Sequence, residues 1–294
     1  MAPKFKINAG DLMLLVIAGF WGATYLVVKL LGQAGTIGGL MTIRFVIASV
    51  VLWLYWFFRR DRFQKGELIF GSIFGFSQAI VLNLEAQGVH YTSATNGGLI
   101  IALSVITIPI LESAWRKKWL PGRFFVAAVL AVLGLVLLVM GNGFVQPNIG
   151  DLFMLIAMTL RTVHFVWLGR INDGKNYSPV NLTLMMVSVS ALIELVISPG
   201  EALATAAQYD LTNWMQMLFL SVICTSAAFI GINWAVKHTS ATRATLLLGT
   251  EPVWSTILAV FIGGELIGPI GVIGALTIIG ATYWGQAIEA KHRG

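Results

Sequence analysis

Ten apolar stretches, each long enough to cross a lipid bilayer, divide this chain of 294 residues. A transmembrane helix needs about 20 apolar residues, and a backbone in hydrocarbon must satisfy its own hydrogen bonds, which favours helices. Charged residues make up only 11% of the chain, against about 25% in soluble domains, so a soluble globular enzyme is excluded. We predict an all-α membrane protein of ten transmembrane helices, with spans at roughly 11–31, 36–58, 67–89, 94–114, 122–141, 150–169, 178–197, 213–236, 243–262 and 268–287.

The Lys and Arg residues lie on one side of these spans. Of the 19, three fall within spans (Lys29, Arg44 and Arg161), and the other 16 lie in the N-terminal segment, alternate loops and the C-terminal segment. Cytoplasmic loops of membrane proteins are enriched in Lys and Arg, so the pattern predicts that both termini are cytoplasmic. It also accounts for the net charge of +6 without nucleic acid as a partner. We call the end of the helix bundle that carries these cations the basic end.

Short sequence matches indicate an internal duplication. They are Gly10-Asp11-Leu12 with Gly150-Asp151-Leu152, Ser93-Ala94-Thr95 with Ser240-Ala241-Thr242, and Pro121 with Pro269. The offsets are 140, 147 and 148, in the same order along the chain. We therefore predict a first five-helix repeat over 1–144 and a second over 145–294, with chance similarity between apolar helices as the alternative. Because five is odd, the repeats are inverted in the membrane, which is typical of alternating-access transporters.

Prolines and charges at mid-depth are candidates for the substrate site, which transporters place near the midplane on broken helices. Pro109 and Pro252 lie deep in spans four and nine, where each removes a backbone donor and kinks the helix. Glu251 and Arg161 lie near the centres of spans nine and six, where a charge costs about 2.5–3.5 kcal/mol. Glu251 could pair with Arg161 or with Arg44. A structural ion pair and a charge or proton site are both open.

Two further carboxylates, Glu85 and Glu194, lie nearer the outer ends of their spans, and we expect them to be solvated. Among the polar groups at mid-depth are Gln78, Ser104 and His164. A lone polar side chain in a span is more often a helix–helix hydrogen bond than a ligand. These three residues are therefore candidates for substrate binding, with a structural role as the alternative.

Two tryptophans, Trp21 and Trp254, lie near mid-span rather than in the interfacial belt where tryptophan is common. Thr24 and Tyr25 lie beside Trp21. Rings at this depth can form a flat apolar wall for an aromatic or amphipathic substrate, and tight core packing is the alternative interpretation.

Motifs for enzymatic chemistry are absent from the sequence. It has no GxxxxGK[ST] phosphate-binding loop, no HExxH and no metal-spaced cluster, and the single cysteine, Cys224, excludes an intrachain disulfide. We expect neither catalytic residues nor a cofactor nor a bound metal.

Three stretches carry a family resemblance. They are Phe20-Trp21-Gly22 in the first span, Glu251-Pro252-Val253 in the ninth, and Gly263-Gly264-Glu265-Leu266 followed by Gly274 and Gly280 at the tenth. With ten spans and the duplication, the chain resembles the drug/metabolite transporter superfamily and, within it, the EamA-type permeases. The first half departs from the pattern, since it has Lys117-Lys118 where the second has Gly264-Glu265.

Within that superfamily the chain looks most like bacterial aromatic amino-acid exporters, through the stretch from Asp11 to Lys29 and its many aromatic residues. The resemblance implies a central cavity and export of phenylalanine, tyrosine or tryptophan across the bacterial inner membrane, with the two halves rocking about the site. The partners are then an amino acid and the lipid bilayer; the oligomeric state is open, and a monomer suffices. The alternatives are a broad-specificity drug or cation extruder of the same fold and, in another class, a channel.

Overall fold

The computed structural model describes residues 8–59, 61–91, 100–101, 103–140, 148–171, 175–251, 253–254, 257–258 and 268–293. All regular elements in these residues are helical. They are α1 (Ala9–Gln33), α2 (Ile37–Arg59), α3 (Lys65–Tyr91), α4 (Ser104–Arg116), α5 (Gly122–Val139), α6 (Ile149–Ile171), α7 (Pro179–Ile197), the short α8 (Glu201–Gln208), α9 (Leu211–His238), α10 (Ala241–Leu248) and α11 (Pro269–Arg293).

Helices occupy all ten predicted span positions, but spans four and nine are described only in part. Six of the helices are long and apolar enough to cross a membrane, namely α2, α3, α6, α7, α9 and α11, and α1 and α5 contain shorter apolar segments. The prediction of an all-α, multi-pass membrane protein is confirmed for the described residues, whereas the number ten stays a prediction. The predicted boundary between the repeats, at residues 144 and 145, lies outside the described residues.

The first helix of each predicted half begins in the same way. At α1, the Asn8 side chain accepts a hydrogen bond from the Asp11 backbone (2.8 Å), and Asp11 accepts one from the Asn8 backbone (2.9 Å). At α6, Asp151 accepts from the Asn148 backbone at 2.8 Å. Such pairs satisfy N–H groups that a helix start leaves unpaired. The two starts lie 140 residues apart, which is the offset of the first sequence match.

Apolar cores divide the helices into two groups. The large core joins α1, α2, α3, α6, α7 and α9, with Leu14 and Phe45 fully buried. It also includes Ile108 of α4 and one face of α10, with Ala241, Ala244, Leu247 and Leu248. A smaller core around Phe124 joins α4, α5, α10 and α11. There α5 and α11 approach closely, since a Cβ atom on Gly134 would lie 2.9 Å from the carbonyl oxygen of Gly274. We call these the six-helix group and the four-helix group, and each takes helices from both predicted halves.

The middle of α9 is π-helical over Phe219–Ala227. Thr225 donates its hydroxyl proton to the Leu220 carbonyl (2.8 Å), and Ser226 donates to the Ser221 carbonyl (3.1 Å), each five residues back. A π-helical turn interrupts the regular i to i−4 ladder and is frequent at functional sites. Backbone and side-chain groups of this segment are thus placed to contact α1 and α2.

Candidate substrate site

A tryptophan and an arginine from different predicted halves meet inside the bundle. The guanidinium carbon of Arg161 on α6 lies 5.3 Å from the centre of the Trp21 ring on α1. Position 161 follows position 21 by 140, so the predicted repeat makes the two residues equivalent. Equivalent residues that touch lie on the axis that relates the repeats, and an inverted repeat places that axis in the membrane plane. The contact therefore marks the centre of the predicted inverted repeat.

Arg161 also forms an ion pair with Glu85 of α3, with 3.0 Å between Nη1 and Oε1. The two side chains are 18% and 19% exposed. Charged groups within spans face the bundle interior or a water-filled cavity. The expectation that Glu85 is simply solvated is therefore wrong, because α6 presents a cation to it. Glu251 is half-buried, and its pairing with Arg161 or Arg44 stays a prediction.

The π-helical segment of α9 holds two residues next to this ion pair. Trp21 donates its indole N–H to the Cys224 carbonyl at 3.0 Å. Arg44 of α2 is buried, donates from Nε to the Thr225 hydroxyl at 2.8 Å, and interacts electrostatically with Glu85. Sequence reasoning missed these contacts, because a π turn has no clear signature in the residues from 219 to 227.

Two predicted polar residues, His164 and Gln78, lie at the contact between α6 and α3. His164 is buried, its Nδ1 lies 3.3 Å from the Ser77 hydroxyl, and its ring centre lies 4.8 Å from that of Phe74. Gln78 is the next residue on α3 and is also buried. His164 lies one turn after Arg161 on α6. The structure therefore places His164 and Gln78 on helices that also carry the Arg161–Glu85 pair.

The other predicted residues on α1 and α4 are less central. The Thr24 hydroxyl donates to the Trp21 carbonyl of its own helix at 2.6 Å. The Tyr25 side chain is outside the described residues, although its backbone belongs to α1. Ser104 begins α4 and is buried, and Pro109 is buried inside the same helix. Neither α4 residue belongs to the six-helix group.

Span nine carries the remaining predicted residues. Trp254 is 37% exposed, and its ring lies beside α1, where a Cβ atom on Gly19 would be 3.8 Å away. It therefore packs against the helix that carries Trp21. Pro252 lies outside the described residues.

The expectation that Glu194 of α7 is solvated is also wrong. Its side chain is fully buried, Oε1 accepts a hydrogen bond from Asn83 at 2.5 Å, and Oε2 has no partner among the described residues. The physical reason is the close contact of α3 with α7, where Gly75 approaches the backbone of Met186. Depth along a span does not report which neighbouring helix covers a side chain.

An ion pair joins the two helix groups at the basic end. Arg243 of α10 donates from Nε and Nη2 to the two carboxylate oxygens of Asp11 on α1, at 2.7 Å and 2.5 Å. Asp11 is 1% exposed. We call this contact the basic-end ion pair. In the sequence, Asp11 marked the repeat and Arg243 counted as a loop cation, so their pairing was not predicted.

Two carboxylates hold the start of α10 in place. Glu112 of α4 accepts hydrogen bonds from the backbone N–H (2.9 Å) and the hydroxyl of Thr242. Ser240 donates to Glu289 of α11 at 2.6 Å and accepts from the Arg243 backbone. Carboxylates near a helix N-terminus are stabilised by its partial positive charge. These contacts hold the start of α10 against α4 and α11 and so position Arg243 beside Asp11.

At the opposite end, α8 and the residue that follows it cover the connection between α1 and α2. The Thr36 hydroxyl donates to Glu201 at 2.5 Å, and the Tyr209 hydroxyl donates to the Leu31 carbonyl at 3.5 Å. Burial raises the pKa of Tyr209 to about 12. These contacts lie within the six-helix group and its surface helix α8.

Comparison with known proteins places this arrangement among transporters. The model of the EamA-like transporter family matches the chain twice, over residues 8–140 and 148–284. An uncharacterized transporter of Archaeoglobus fulgidus is 26% identical over 281 residues, which covers 95% of this chain and 86% of that protein. The uncharacterized transporter YyaM of Bacillus subtilis is 26% identical over 295 residues, which covers 91% of this chain and 90% of YyaM.

Similarity to a solved structure concerns the fold alone. A protein crystal structure superposes with a TM-score of 0.78 at 17% identity, covering 96% of this chain and 99% of that chain.

Proposed function

Because the chain belongs to the EamA-like transporter family, we propose that it is a secondary transporter that exports amino acids, above all aromatic ones, by alternating access. In this proposal the protein lies in the bacterial inner membrane with both termini in the cytoplasm. Membership in the family supports membrane transport as the general function. The substrate and the mechanism are our inference from the site.

The observation that carries the substrate class is the contact between Trp21 and Arg161. Arg161 also lies 5.9 Å from the centre of the Phe165 ring, so two aromatic rings and a cation occupy one place in the bundle. Rings of this kind bind an aromatic side chain by edge or stacking contacts, and a guanidinium binds carboxylates. His164 and Gln78 supply further polar groups nearby. An aromatic amino acid has an aromatic ring to match these rings and a carboxylate to match the guanidinium.

The packing of the helices supports alternating access, with a different division from the predicted rocking of halves. Helices of one group share most of a core, although Ile108 of α4 and one face of α10 also reach the large core. We propose that the four-helix group moves against the six-helix group. The basic-end ion pair connects these groups, as does the Thr107–Thr162 hydroxyl contact (2.8 Å) nearer mid-depth. Opening the site towards the basic end then requires the Asp11–Arg243 contact to break.

Glu251 is our candidate for a proton carrier, and transport without a coupled proton is the alternative. It is half-buried in span nine. A Glu251→Gln substitution removes the titratable group while keeping the shape. The proton-carrier role predicts that the pH dependence of transport disappears, and it is refuted if flux and pH dependence both survive.

The experiment that tests the proposed function is counterflow in liposomes. The purified chain is reconstituted, and uptake of labelled phenylalanine against internal unlabelled phenylalanine is measured with other amino acids as competitors. Saturable uptake inhibited best by aromatic amino acids is the expected result. Stronger inhibition by organic cations would replace the proposal with a drug or cation extruder, and flux that does not saturate would favour a channel.

A further inference from the structure

We propose that the amino acid inserts its two charged groups into the Arg161–Glu85 ion pair, so that its carboxylate binds Arg161 and its ammonium binds Glu85. This inference rests on the proposed amino-acid transport. It makes Arg161 and Glu85 the residues that determine specificity, and it restricts the preferred substrates to zwitterions.

The geometry of the pair favours such an exchange. Arg161 and Glu85 come from different helices, and each side chain keeps nearly a fifth of its surface exposed. Two other charges in the spans, Arg44 and Glu194, are more deeply buried. Arg44 is only 6% exposed and bound to Thr225, and Glu194 is 0% exposed. The Arg161–Glu85 pair therefore combines opposite charges with partly exposed side chains.

The number of contacts exchanged favours a zwitterion over a singly charged ligand. A lone carboxylate on Arg161 would take the cation from Glu85, and a lone ammonium on Glu85 would take the anion from Arg161. Either ligand breaks the contact between Arg161 and Glu85 and supplies only one charge-assisted contact in return. A zwitterion supplies two such contacts, one to Arg161 and one to Glu85, and so replaces the ion pair on both sides.

The surroundings of the pair are arranged for this exchange. Arg161 lies over both the Trp21 and Phe165 rings, so a carboxylate on its guanidinium brings the substrate side chain alongside these rings. Trp21 is held by the Cys224 carbonyl.

Three competitors with the same carbon skeleton test the inference on the wild-type chain. Phenylalanine carries both charges, phenethylamine only the ammonium, and 3-phenylpropionate only the carboxylate. In the counterflow assay we expect phenylalanine to compete on the order of 100-fold better than either analogue, because each analogue replaces only one of the two charged contacts of the ion pair. Equal competition by phenethylamine or 3-phenylpropionate would overturn the inference while leaving amino-acid transport in place.

Substitutions of Glu85 and of Arg161 should change which of the two analogues competes better, in opposite directions. Glu85→Gln removes the group that needs a cation, so 3-phenylpropionate should gain relative to phenethylamine. Arg161→Gln should give the reverse. The matched control is Glu194→Gln, another buried carboxylate of the spans, which contacts Asn83 and should leave the order unchanged. An unchanged order in all three variants would refute the assignment.

A second measurement tests ligand binding directly, so that it can also be applied to variants that no longer transport. Ligand-induced thermal stabilisation of the detergent-solubilised full chain is compared for Glu85→Asp and Arg161→Lys, which keep each charge. Both variants should still prefer phenylalanine to the two analogues, and loss of that preference would count against the pair. If the wild type shows no counterflow with any amino acid, the proposed function fails, and this inference fails with it.

Discussion

Replacing Asp11 by Asn should open the site towards the basic end. The substitution keeps the shape of the side chain and an oxygen for the start of α1, but it removes the charge that holds Arg243. A hydrogen bond between charged partners contributes about 1.5–3 kcal/mol. The two bonds to Asp11 share one guanidinium, so we take their joint contribution as about 2–3 kcal/mol. If they form only in the closed state, the ratio of closed to open protein falls about 30- to 150-fold.

The assay is side-specific labelling of a cysteine placed behind the ion pair. Thr107 is half-buried on α4, and the contact between Glu112 and Thr242 lies between it and the basic end. A Thr107→Cys variant is made in a Cys224→Ser background, which removes the single native cysteine. A membrane-impermeant maleimide is applied to inside-out vesicles, in which the basic end is predicted to face the reagent. The Asp11→Asn substitution should raise the labelling rate at least tenfold.

A matched control separates this effect from a general loss of charge. The Asp61 carboxylate at the same end is paired with Arg59 at 3.9 Å, and those side chains are 35% and 59% exposed. Exposed pairs of this kind contribute little, so Asp61→Asn should leave labelling unchanged. An Asp11→Asn protein that folds and labels at the wild-type rate would refute the ion pair as a closure. So would an Arg243→Gln/Asp11→Asn double variant whose effect equals the sum of the two single effects.

Three further expectations follow from single contacts. Trp21→Ala should raise the apparent KM for phenylalanine counterflow about tenfold, because the ring contributes an aromatic face and a cation–π contact; a KM within the error of wild type would remove Trp21 from the site. Gly274→Ala should lower the apparent Tm in detergent, since its Cβ would meet the backbone of Leu138, whereas Gly280→Ala on the same helix meets nothing within 4 Å and should not lower it. Burial raises the pKa of Tyr209 to about 12, so the stability that its neutral hydroxyl contributes is present below pH 10 and is lost as the pH rises to 12. The free energy of unfolding, measured with a chemical denaturant over that pH range, should fall less steeply for Tyr209→Phe than for the wild type.

Helix positions could be predicted from the sequence, because they depend on local patterns. The length of the apolar stretches located the spans, and depth within a span selected Trp21, Arg161 and His164. The offset of 140 that links the two helix starts also links Trp21 with Arg161, a contact that could have been predicted from the repeat. These inferences use only position along a helix and the symmetry of the repeat.

Contacts between helices were beyond the same reasoning. Glu194 was expected to be solvated because it is close to a span end, yet Asn83 of α3 covers it. The pairing of Asp11 with Arg243 joins residues 232 positions apart, and neither residue is unusual in its own segment. The contact between Arg44 and Thr225 depends on a π-helical turn. Each of these depends on which helix faces which, and periodicity in a uniformly apolar span does not encode that choice.

The predicted equivalence of Trp21 and Arg161 in the two repeats has a consequence for the origin of such a contact. In a dimer of two identical five-helix chains, the residue at this position would face its own copy, so an arginine would meet an arginine and a tryptophan a tryptophan. Joining the two copies in one chain frees the positions to differ. The cation can then lie on an aromatic ring. The centre of the molecule becomes asymmetric, with an arginine on one side and a tryptophan on the other, which a symmetrical dimer cannot achieve.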